Sequence, residues 1–291
     1  MRGACIDIGS NTTRLLVADC AGGRVIPVLQ ERVFTHIAMG RRTDGTIDAA
    51  KIEEVAGVVG DQLGRARELG AARIRAVATA AIRLAGNSGE LAGAVDALCG
   101  LPVDVLSGRE EARLAFLGAA SALEVPPPGE LGVADVGGGS CELAVGSAPD
   151  SVRWSASLPL GSADLTREYL HCDPPGEDEL ARARARVADT IDGLEVPRPK
   201  FAVAVGGSAA SLRMVAGPLL GPIAFSTAFG ELAGRPAAEV ARRFGIEPQR
   251  ARLLPAGLMI LEAAAQRFGR PLLVGGGGLR EGVVLELARG A

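Results

Sequence analysis

The chain has 291 residues, of which 48% are apolar and 22% are charged, and its formal net charge at neutral pH is −3. This composition is typical of a soluble globular protein, and the length suits two domains of ordinary size. The slightly acidic balance argues against a nucleic-acid-binding protein, which would carry a strong basic excess. A polyanionic ligand would therefore have to be bound by local clusters of positive groups.

The cysteines and histidines exclude several kinds of site. The five cysteines are widely spaced and form no CxxC pair, which argues against a disulfide framework and a zinc site. The sequence has two histidines, His36 and His171. This small number argues against a Ser-His-Asp triad and against a histidine metal site. Because Asp7 interrupts the first apolar stretch, no secretory segment is indicated. We expect a cytoplasmic protein without membrane or nucleic-acid contacts.

The first third of the chain predicts a meander of antiparallel strands followed by a helix. Short apolar strands over residues 3–7, 14–18 and 24–29 are separated by tight polar turns. Apolar residues spaced by three and four then predict a helix over residues 48–69, with Asp48 as N-cap and Gly70 at its end. Strands over residues 73–78 and 103–106 each lead into a helix, and Arg83 lies in the first of these helical turns.

The run of three prolines and a glycine at residues 126–129 breaks the chain, and the opening pattern recurs after it. Strands over residues 131–136 and 142–145 flank a glycine turn, so Asp7-Ile-Gly-Ser recurs as Asp135-Val-Gly-Gly. This is an internal repeat at the scale of a domain. We predict an N-terminal domain over residues 1–122 and a C-terminal domain over residues 123–291, with packing of the last helix on the first domain as the alternative.

Glycine clusters follow the apolar strands, and two of them open helices. The strands over residues 201–205 and 272–274 lead into glycine-rich turns and then into helices, which indicates α/β layering. Glycine lets backbone N–H groups approach phosphate oxygens, and a helix N-terminus adds partial positive charge. The alternative is that these are tight turns without a ligand.

Acids and arginines supply the candidate chemistry. Asp135 and Glu142 flank the second glycine turn, where a hairpin would let both reach one Mg²⁺, although Asp135 could instead only cap the turn. Ser107 and Glu110 fit a capping box, which leaves Glu111 as the better candidate for a general base. Arg83 could hold a phosphoryl group with two hydrogen bonds, and Arg14 and Arg280 are weaker candidates. The alternative for each is a solvated surface charge.

These motifs resemble those of the exopolyphosphatase/guanosine-pentaphosphate phosphatase (Ppx/GppA) family. The first four are Asp7-Ile-Gly-Ser-Asn-Thr-Thr-Arg14, Ala78-Thr-Ala-Ala-Ile-Arg83, Ser107-Gly-Arg-Glu-Glu-Ala-Arg113 and Asp135-Val-Gly-Gly-Gly-Ser-Cys-Glu142. The second four are Leu158-Pro-Leu-Gly161, Gly206-Gly-Ser-Ala209, Leu254-Pro-Ala-Gly257 and Gly278-Leu-Arg-Glu-Gly282. They come in the family's order and spacing over nearly the whole chain. The resemblance implies an α/β fold of two ribonuclease-H-like domains, of the actin/sugar kinase/acetate kinase type, with an interdomain cleft.

The resemblance also implies roles for individual residues. Glu111 matches the family's catalytic glutamate and Arg83 its phosphate-gripping arginine, while Asp135 and Glu142 match the acids associated with Mg²⁺. The phosphate-binding residues are expected to be Gly9, Ser10, Asn11, Thr12, Arg14, Gly137, Gly138, Gly139, Ser140, Gly206, Gly207 and Ser208.

The sequence departs from the family pattern in several places. Cys141 stands where threonine is usual, the segment over residues 39–46 is short, and three glycines precede Gly278. The additional C-terminal helical domains of longer members are absent, so we expect a short, two-domain type.

The expected activity is Mg²⁺-dependent release of terminal phosphate from inorganic polyphosphate. The alternatives are hydrolysis of guanosine pentaphosphate, a polyphosphate- or nucleotide-binding sensor without turnover, and a kinase of the same fold. A homodimer is the commonest oligomeric state, and the sequence does not decide it.

Overall fold

The computed structural model describes residues 1–40, 42 and 44–290, and the chain forms two compact units. Unit 1 comprises Met1–Ala122 and the segment that begins at Gly277, and unit 2 comprises Leu123–Gly276. The first division falls after residue 122, where the sequence places it. The last helix, predicted within the second domain, packs in unit 1 because its apolar residues complete the core of that unit. Of the short segment over residues 39–46, Arg41 and Thr43 lie outside the described residues.

The secondary structure alternates strands and helices. The strands are β1 Arg2–Ile8, β2 Thr12–Ala21, β3 Arg24–Phe34, β4 Arg73–Ala78, β5 Val103–Val105, β6 Glu130–Val136, β7 Cys141–Ser147, β8 Ser151–Leu158, β9 Phe201–Val205, β10 Leu219–Leu220 and β11 Leu272–Val274. The helices are α1 Ala49–Glu68, α2 Ala80–Arg83, α3 Ser88–Cys99, α4 Gly108–Ser121, α5 Ser162–Tyr169, α6 Glu177–Ile191, α7 Gly206–Ala216, α8 Pro222–Ala233, α9 Ala237–Phe244, α10 Pro248–Ala251, α11 Leu254–Phe268 and α12 Leu279–Arg289. A short 3₁₀ helix covers Ile37–Gly40.

The sheet of unit 1 has the strand order β3-β2-β1-β4-β5. The predicted meander is confirmed, because β1, β2 and β3 pair antiparallel, whereas β1, β4 and β5 are parallel. Successive residues of a strand face opposite sides of the sheet. Ala4, Ile6 and Ile8 accordingly pack against α1 and α3, while Cys5 packs on the other face with residues of α4 and α12.

The sheet of unit 2 repeats this topology with one additional edge strand. Its order is β10-β11-β9-β6-β7-β8, so from β8 to β11 it matches the order from β3 to β5 in unit 1. Strands β6, β7 and β8 pair antiparallel, and β6, β9 and β11 are parallel. Helices α6, α7, α8 and α11 contribute to one apolar core with this sheet. The predicted α/β fold of two ribonuclease-H-like units and the predicted repeat are therefore confirmed.

Helix ends follow the local signals of the sequence. Asp48 is the N-cap of α1, where its side chain accepts a hydrogen bond from the N–H of Ala50 at 3.0 Å. Gly70 follows the helix with φ of +74°, a conformation that glycine adopts without steric cost. Both predicted ends of this helix are confirmed. Among the described residues, no helix combines the length and the apolar character needed to cross a membrane.

Candidate functional site

The predicted site residues of unit 1 follow the carboxyl ends of its parallel strands. The N–H of Thr79 donates to the carbonyl of Ile8 at 3.3 Å, and the N–H of Leu106 donates to the carbonyl of Ala78 at 2.9 Å. These bonds tie the segments after β1, β4 and β5 together at one edge of the sheet, which is where ligands bind in α/β folds. The segments carry the loop over residues 9–12 (loop 1), Arg83 and Glu111.

Unit 2 has a second glycine loop, over residues 137–140 (loop 2), with the same internal hydrogen bond. The N–H of Gly9 donates to the carbonyl of Thr12 at 3.0 Å, and the N–H of Gly137 donates to the carbonyl of Ser140 at 3.0 Å. A β-carbon added at Gly9 would lie 3.1 Å from the Thr12 oxygen, and one added at Gly137 would lie 3.3 Å from the Ser140 oxygen. The sequence repeat is thus a repeat of loop geometry, and both positions favour glycine.

Helix α5 holds loop 2 by its N-terminal N–H groups. The carbonyl of Gly137 accepts a hydrogen bond from the N–H of Ser162 at 2.9 Å, and the carbonyl of Gly138 accepts one from the N–H of Ala163 at 2.9 Å. The C=O and N–H of a trans peptide point in opposite directions. The N–H groups of Gly138 and Gly139 therefore point away from α5, and two such groups in succession form a concavity that suits an anion.

Loop 1 is held in the same way by the segment that follows β3. The carbonyl of Ser10 accepts a hydrogen bond from the N–H of Ala38 at 2.9 Å, and the carbonyl of Asn11 accepts one from the N–H of His36 at 3.0 Å. By the same trans-peptide geometry, the N–H groups of Asn11 and Thr12 point away from this segment. Each unit therefore presents a pair of successive backbone amides at the end of its first hairpin.

Two acidic residues lie side by side next to loop 2. Asp135 of β6 and Glu142 of β7 are register partners, so their side chains lie on the same face of the sheet. Glu142 is buried, and Ser157, its partner on β8, donates a hydrogen bond to Oε1 at 2.8 Å. Among the described residues, no three acid, histidine or cysteine side chains are grouped to hold a metal. A carboxylate pair fits Mg²⁺, which takes few protein ligands and keeps water and substrate oxygens.

In unit 1 the corresponding positions hold one acidic residue and one basic residue, Asp7 and Arg14. Asp7 is the register partner of Arg14, and one oxygen of Asp7, Oδ1, is buried without a hydrogen-bond partner. Burial and the nearby Glu281 raise the pKa of Asp7, whereas Arg14 and Arg280 oppose that shift. Asp7 was not among the predicted site residues. The signal for it was present, because it occupies in the first hairpin the place of Asp135 in the second.

Glu111 and Arg83 form an ion pair in unit 1. Arg83 Nη1 donates to Glu111 Oε2 at 2.8 Å and to the carbonyl of Leu106 at 2.8 Å. Glu111 is only 6% exposed although it lies in the first turn of α4. A charged side chain at such a position is rarely buried unless it has a partner. The structure therefore brings the predicted base and the predicted phosphate-gripping arginine into direct contact.

The neighbouring Glu110 has a different environment, as the capping analysis predicts. Ser107 is confirmed as the N-cap of α4, because its side chain accepts a hydrogen bond from the N–H of Glu110 at 3.2 Å. The carboxylate of Glu110 pairs with Arg113 at 2.9 and 2.7 Å, and this contact lowers its pKa. The predicted capping box is half formed, since the Glu110 carboxylate is drawn to a full positive charge one turn along the helix.

The start of α7 lies beside the acid pair. Gly206 has φ of +86°, and a β-carbon there would lie 2.5 Å from Asp135 Oδ1. Ser208 is buried, and its hydroxyl faces Gly257 of α11, where an added β-carbon would lie 2.7 Å from Ser208 Oγ. The backbone of Gly206 therefore lies at the acid pair, whereas the Ser208 hydroxyl packs in the helical layer.

Arg250 is a cation of this region that the sequence analysis missed. A β-carbon added at Gly207 would lie 1.7 Å from Arg250 Nη1, so the guanidinium lies against the glycine turn. The local signal was weak, because α10 is a four-residue helix with no apolar periodicity. The contact places a positive group beside the predicted phosphate-binding residues of unit 2.

Cys141, which the sequence analysis noted as a departure from the expected family pattern, is buried at the start of β7. Burial, followed by the negative charges of Glu142 and Asp135, raises the pKa of its thiol well above the ordinary value. The side chain therefore stays protonated at neutral pH and behaves as a small apolar residue.

Comparisons with known proteins agree with this architecture. The model of the Ppx/GppA phosphatase family matches residues 16–290. Exopolyphosphatase 1 of Mycobacterium leprae is 31% identical, over 98% of this chain and 89% of its own length. Exopolyphosphatase 2 of Mycobacterium tuberculosis is 31% identical, over 99% of this chain and 90% of its own length.

Solved structures show the same fold over the whole chain. The crystal structure of the Aquifex aeolicus member of the Ppx/GppA protein family superposes with a TM-score of 0.85 at 31% identity, and the match covers 100% of this chain and 98% of that one. An exopolyphosphatase from Cytophaga hutchinsonii has a TM-score of 0.88 at 22% identity, with 100% and 99% of the two chains covered.

Proposed function

The chain belongs to the Ppx/GppA phosphatase family, and from that premise we propose that it is an exopolyphosphatase, which hydrolyses the terminal phosphoanhydride bond of inorganic polyphosphate. The observation that carries the proposal is the ion pair of the buried Glu111 with Arg83 at the sheet edge that also carries loop 1. The relatives named exopolyphosphatase support the choice of substrate. Membership of a phosphatase family supports hydrolysis over transfer to an acceptor.

We assign Glu111 the role of general base. It takes a proton from water while the water oxygen forms a bond to the terminal phosphorus. The bond from that phosphorus to the bridging oxygen breaks, and its electron pair leaves with the shortened chain. A general base contributes about 10²- to 10⁴-fold to such a step. The ion pair with Arg83 fixes the position of the carboxylate, and the guanidinium charge favours the phosphoryl oxygens.

The backbone amides of the two loops are the proposed phosphate contacts. Phosphoryl transfer needs mostly positioning and charge stabilisation, so preorganised N–H groups supply much of what the reaction requires. The amides of Asn11 and Thr12 in unit 1, and of Gly138 and Gly139 in unit 2, are already held in place by hydrogen bonds on their opposite sides. They need no rearrangement to accept phosphate oxygens.

Asp135 and Glu142 are the residues that would hold Mg²⁺. When bound, the ion would neutralise phosphate oxygens of the substrate and weaken the bond to the leaving group. Ser157 orients Glu142 for this role, and Gly206 leaves space for the Asp135 carboxylate. The acids are few, in keeping with an ion that keeps most of its ligands in water and substrate.

The test is phosphate release from tripolyphosphate, long-chain polyphosphate and guanosine pentaphosphate, each with Mg²⁺ or with EDTA. Glu111→Gln should lower kcat by about 10²- to 10⁴-fold while KM changes little. Glu110→Gln is the matched control, because Glu110 is adjacent but pairs with Arg113. We expect it to keep kcat within about threefold, since partly exposed ion pairs contribute little.

Each result of these assays would identify one of the alternative functions or contradict the role of Glu111. Faster release from guanosine pentaphosphate than from either polyphosphate would make the nucleotide the substrate. Tight binding of polyphosphate by the wild type without any release would identify a sensor. Equal loss of activity in Glu110→Gln and Glu111→Gln would remove Glu111 from the mechanism.

A further inference from the structure

The two phosphate loops have the same geometry but different supports. Loop 2 rests on the N-terminus of an eight-residue helix, α5, and its contacts are backbone amides and one serine hydroxyl. Loop 1 rests on the segment from Thr35 to Ala38, which leads into the short 3₁₀ helix Ile37–Gly40. In addition to these backbone bonds, the side chain of His36 contacts loop 1.

His36 is bonded to Asn11 from both its backbone and its ring. Its N–H donates to the Asn11 carbonyl at 3.0 Å, and its ring Nδ1 lies 2.8 Å from Asn11 Oδ1. Since an amide oxygen accepts, Nδ1 carries the hydrogen in this contact. The ring also stacks on Phe34, with centroids 5.6 Å apart. One histidine therefore forms hydrogen bonds with both the main chain and the side chain of Asn11.

The backbone of His36 is in an uncommon conformation. Its φ is +47°, and among the described residues it is the one non-glycine residue with positive φ. Such a conformation costs about 1 kcal/mol or more for a residue with a β-carbon, and it persists where the surroundings fix it. Residues held in this way concentrate at functional sites, and here the strain brings the Nδ1–H onto Asn11.

We propose that His36 is a positioning residue for phosphate binding, which locks Asn11 so that the amides of Asn11 and Thr12 face the substrate. The proposal rests on the exopolyphosphatase function, because it assigns phosphate to loop 1. His36 does not itself contact substrate in this role. It gives loop 1 a ring hydrogen bond to Asn11 beside the backbone bonds of the kind that hold both loops.

Three variants separate the hydrogen bond from the backbone strain. His36→Gly accepts the positive φ but removes the ring donor. Asparagine also tolerates positive φ. Its Nδ2 is bonded to Cγ, as Nδ1 is in histidine, so His36→Asn keeps an N–H donor in nearly the same place. His171→Ala is the control for loss of a histidine, because His171 is exposed in unit 2 and its backbone N–H, which alanine keeps, donates to Glu179.

The measurements are KM and kcat for tripolyphosphate hydrolysis, the Tm of each variant, and calorimetric binding of tripolyphosphate to the Glu111→Gln background. We expect His36→Gly to raise KM and Kd by about 10- to 100-fold with an unchanged Tm, because displaced loop amides lose their alignment with the substrate. His36→Asn should stay within about threefold of wild type for KM and Kd, as should His171→Ala.

Wild-type KM and Kd in His36→Gly would overturn the proposal, as would an equal loss in His36→Gly and His36→Asn. If the wild type releases no phosphate, the exopolyphosphatase function fails, and the calorimetric comparison alone then decides the role of His36. Absence of tripolyphosphate binding by the wild type would overturn both.

Discussion

Gly282→Ala tests whether α12 fixes the helix that carries Glu111. A β-carbon at Gly282 would lie 2.0 Å from the carbonyl oxygen of Leu114 in α4, and one at Gly118 would lie 1.9 Å from the carbonyl oxygen of Gly278. Both contacts would be with backbone atoms, so rotation of a side chain could not relieve the clash. Leu114 is three residues after Glu111 in the same helix. The close approach of the two backbones therefore sets where the base lies.

The expected magnitude follows from this distance. A β-carbon essentially never lies closer than 3.0 Å to another heavy atom, so α4 and α12 must separate locally by about 1 Å. Overpacking of a core costs about 1–3 kcal/mol, and a clash with backbone belongs at the upper end. Alanine regains about 1 kcal/mol of helix propensity over glycine. We expect a net loss of about 2 kcal/mol, or about 4–8 °C in Tm.

Gly64→Ala in α1 is the matched control, because Gly64 is an exposed helical glycine with no atom within 4 Å of the added β-carbon. The same chemical change should there raise stability by about 0.5–1 kcal/mol. The assay is thermal unfolding together with kcat, for which a shift of about 1 Å in Glu111 costs up to about 100-fold. Tm shifts of the same sign in both variants would refute the steric reasoning. A lower Tm in Gly282→Ala with wild-type kcat would refute the link to Glu111.

Three further changes probe unit 2. Gly206→Ala should displace the Asp135 carboxylate and strain a backbone with φ of +86°, so we expect lower kcat, a higher Mg²⁺ requirement in a metal titration, and a loss of about 1–3 kcal/mol in a denaturant titration. Ser157→Ala removes the hydrogen bond to Glu142 and should raise the Mg²⁺ concentration for half-maximal activity by about 10- to 100-fold, and an unchanged titration would contradict the assignment. Glu179→Gln should lower Tm at pH 7, because backbone N–H groups lower the pKa of that carboxyl to about 2. This stabilisation is complete above the ordinary glutamate pKa and is lost as pH falls towards about 2, so the difference in Tm should shrink over that range.

The elements that the sequence predicted best carry strong local signals. β4, β9 and β11 have the predicted bounds, because short apolar runs between turn residues leave little choice. Asp48 and Ser107 were identified as N-caps because their side chains satisfy helix N–H groups within three residues. These features depend on neighbours in sequence, and a single chain is enough to find them.

The features that the sequence did not predict depend on contacts between distant segments. The sequence left the place of α12 open between the two domains, because it follows from close backbone contacts at Gly118 and Gly282, and a lone glycine in a helix gives no sign of such contacts. Arg250 reaches Gly207 from 43 positions along the chain. The ion pair of Glu111 with Arg83 likewise requires β4 and β5 to be adjacent, which the order of strands alone does not reveal.

The repeated hairpin carries a different pair of charged residues in each unit. In each hairpin an aspartate at the end of the first strand pairs in register with the residue seven positions later. Asp7 pairs with Arg14 in unit 1, and Asp135 pairs with Glu142 in unit 2. The first pair balances one negative charge with one positive charge, which suits a site for phosphate oxygens. The second pair places two carboxylates on one face, which repels an anion but suits a divalent cation. Under the proposed function, a change of residue type at one position of a repeated hairpin gives unit 2 the acids for the metal, while loop amides for phosphate remain common to both units.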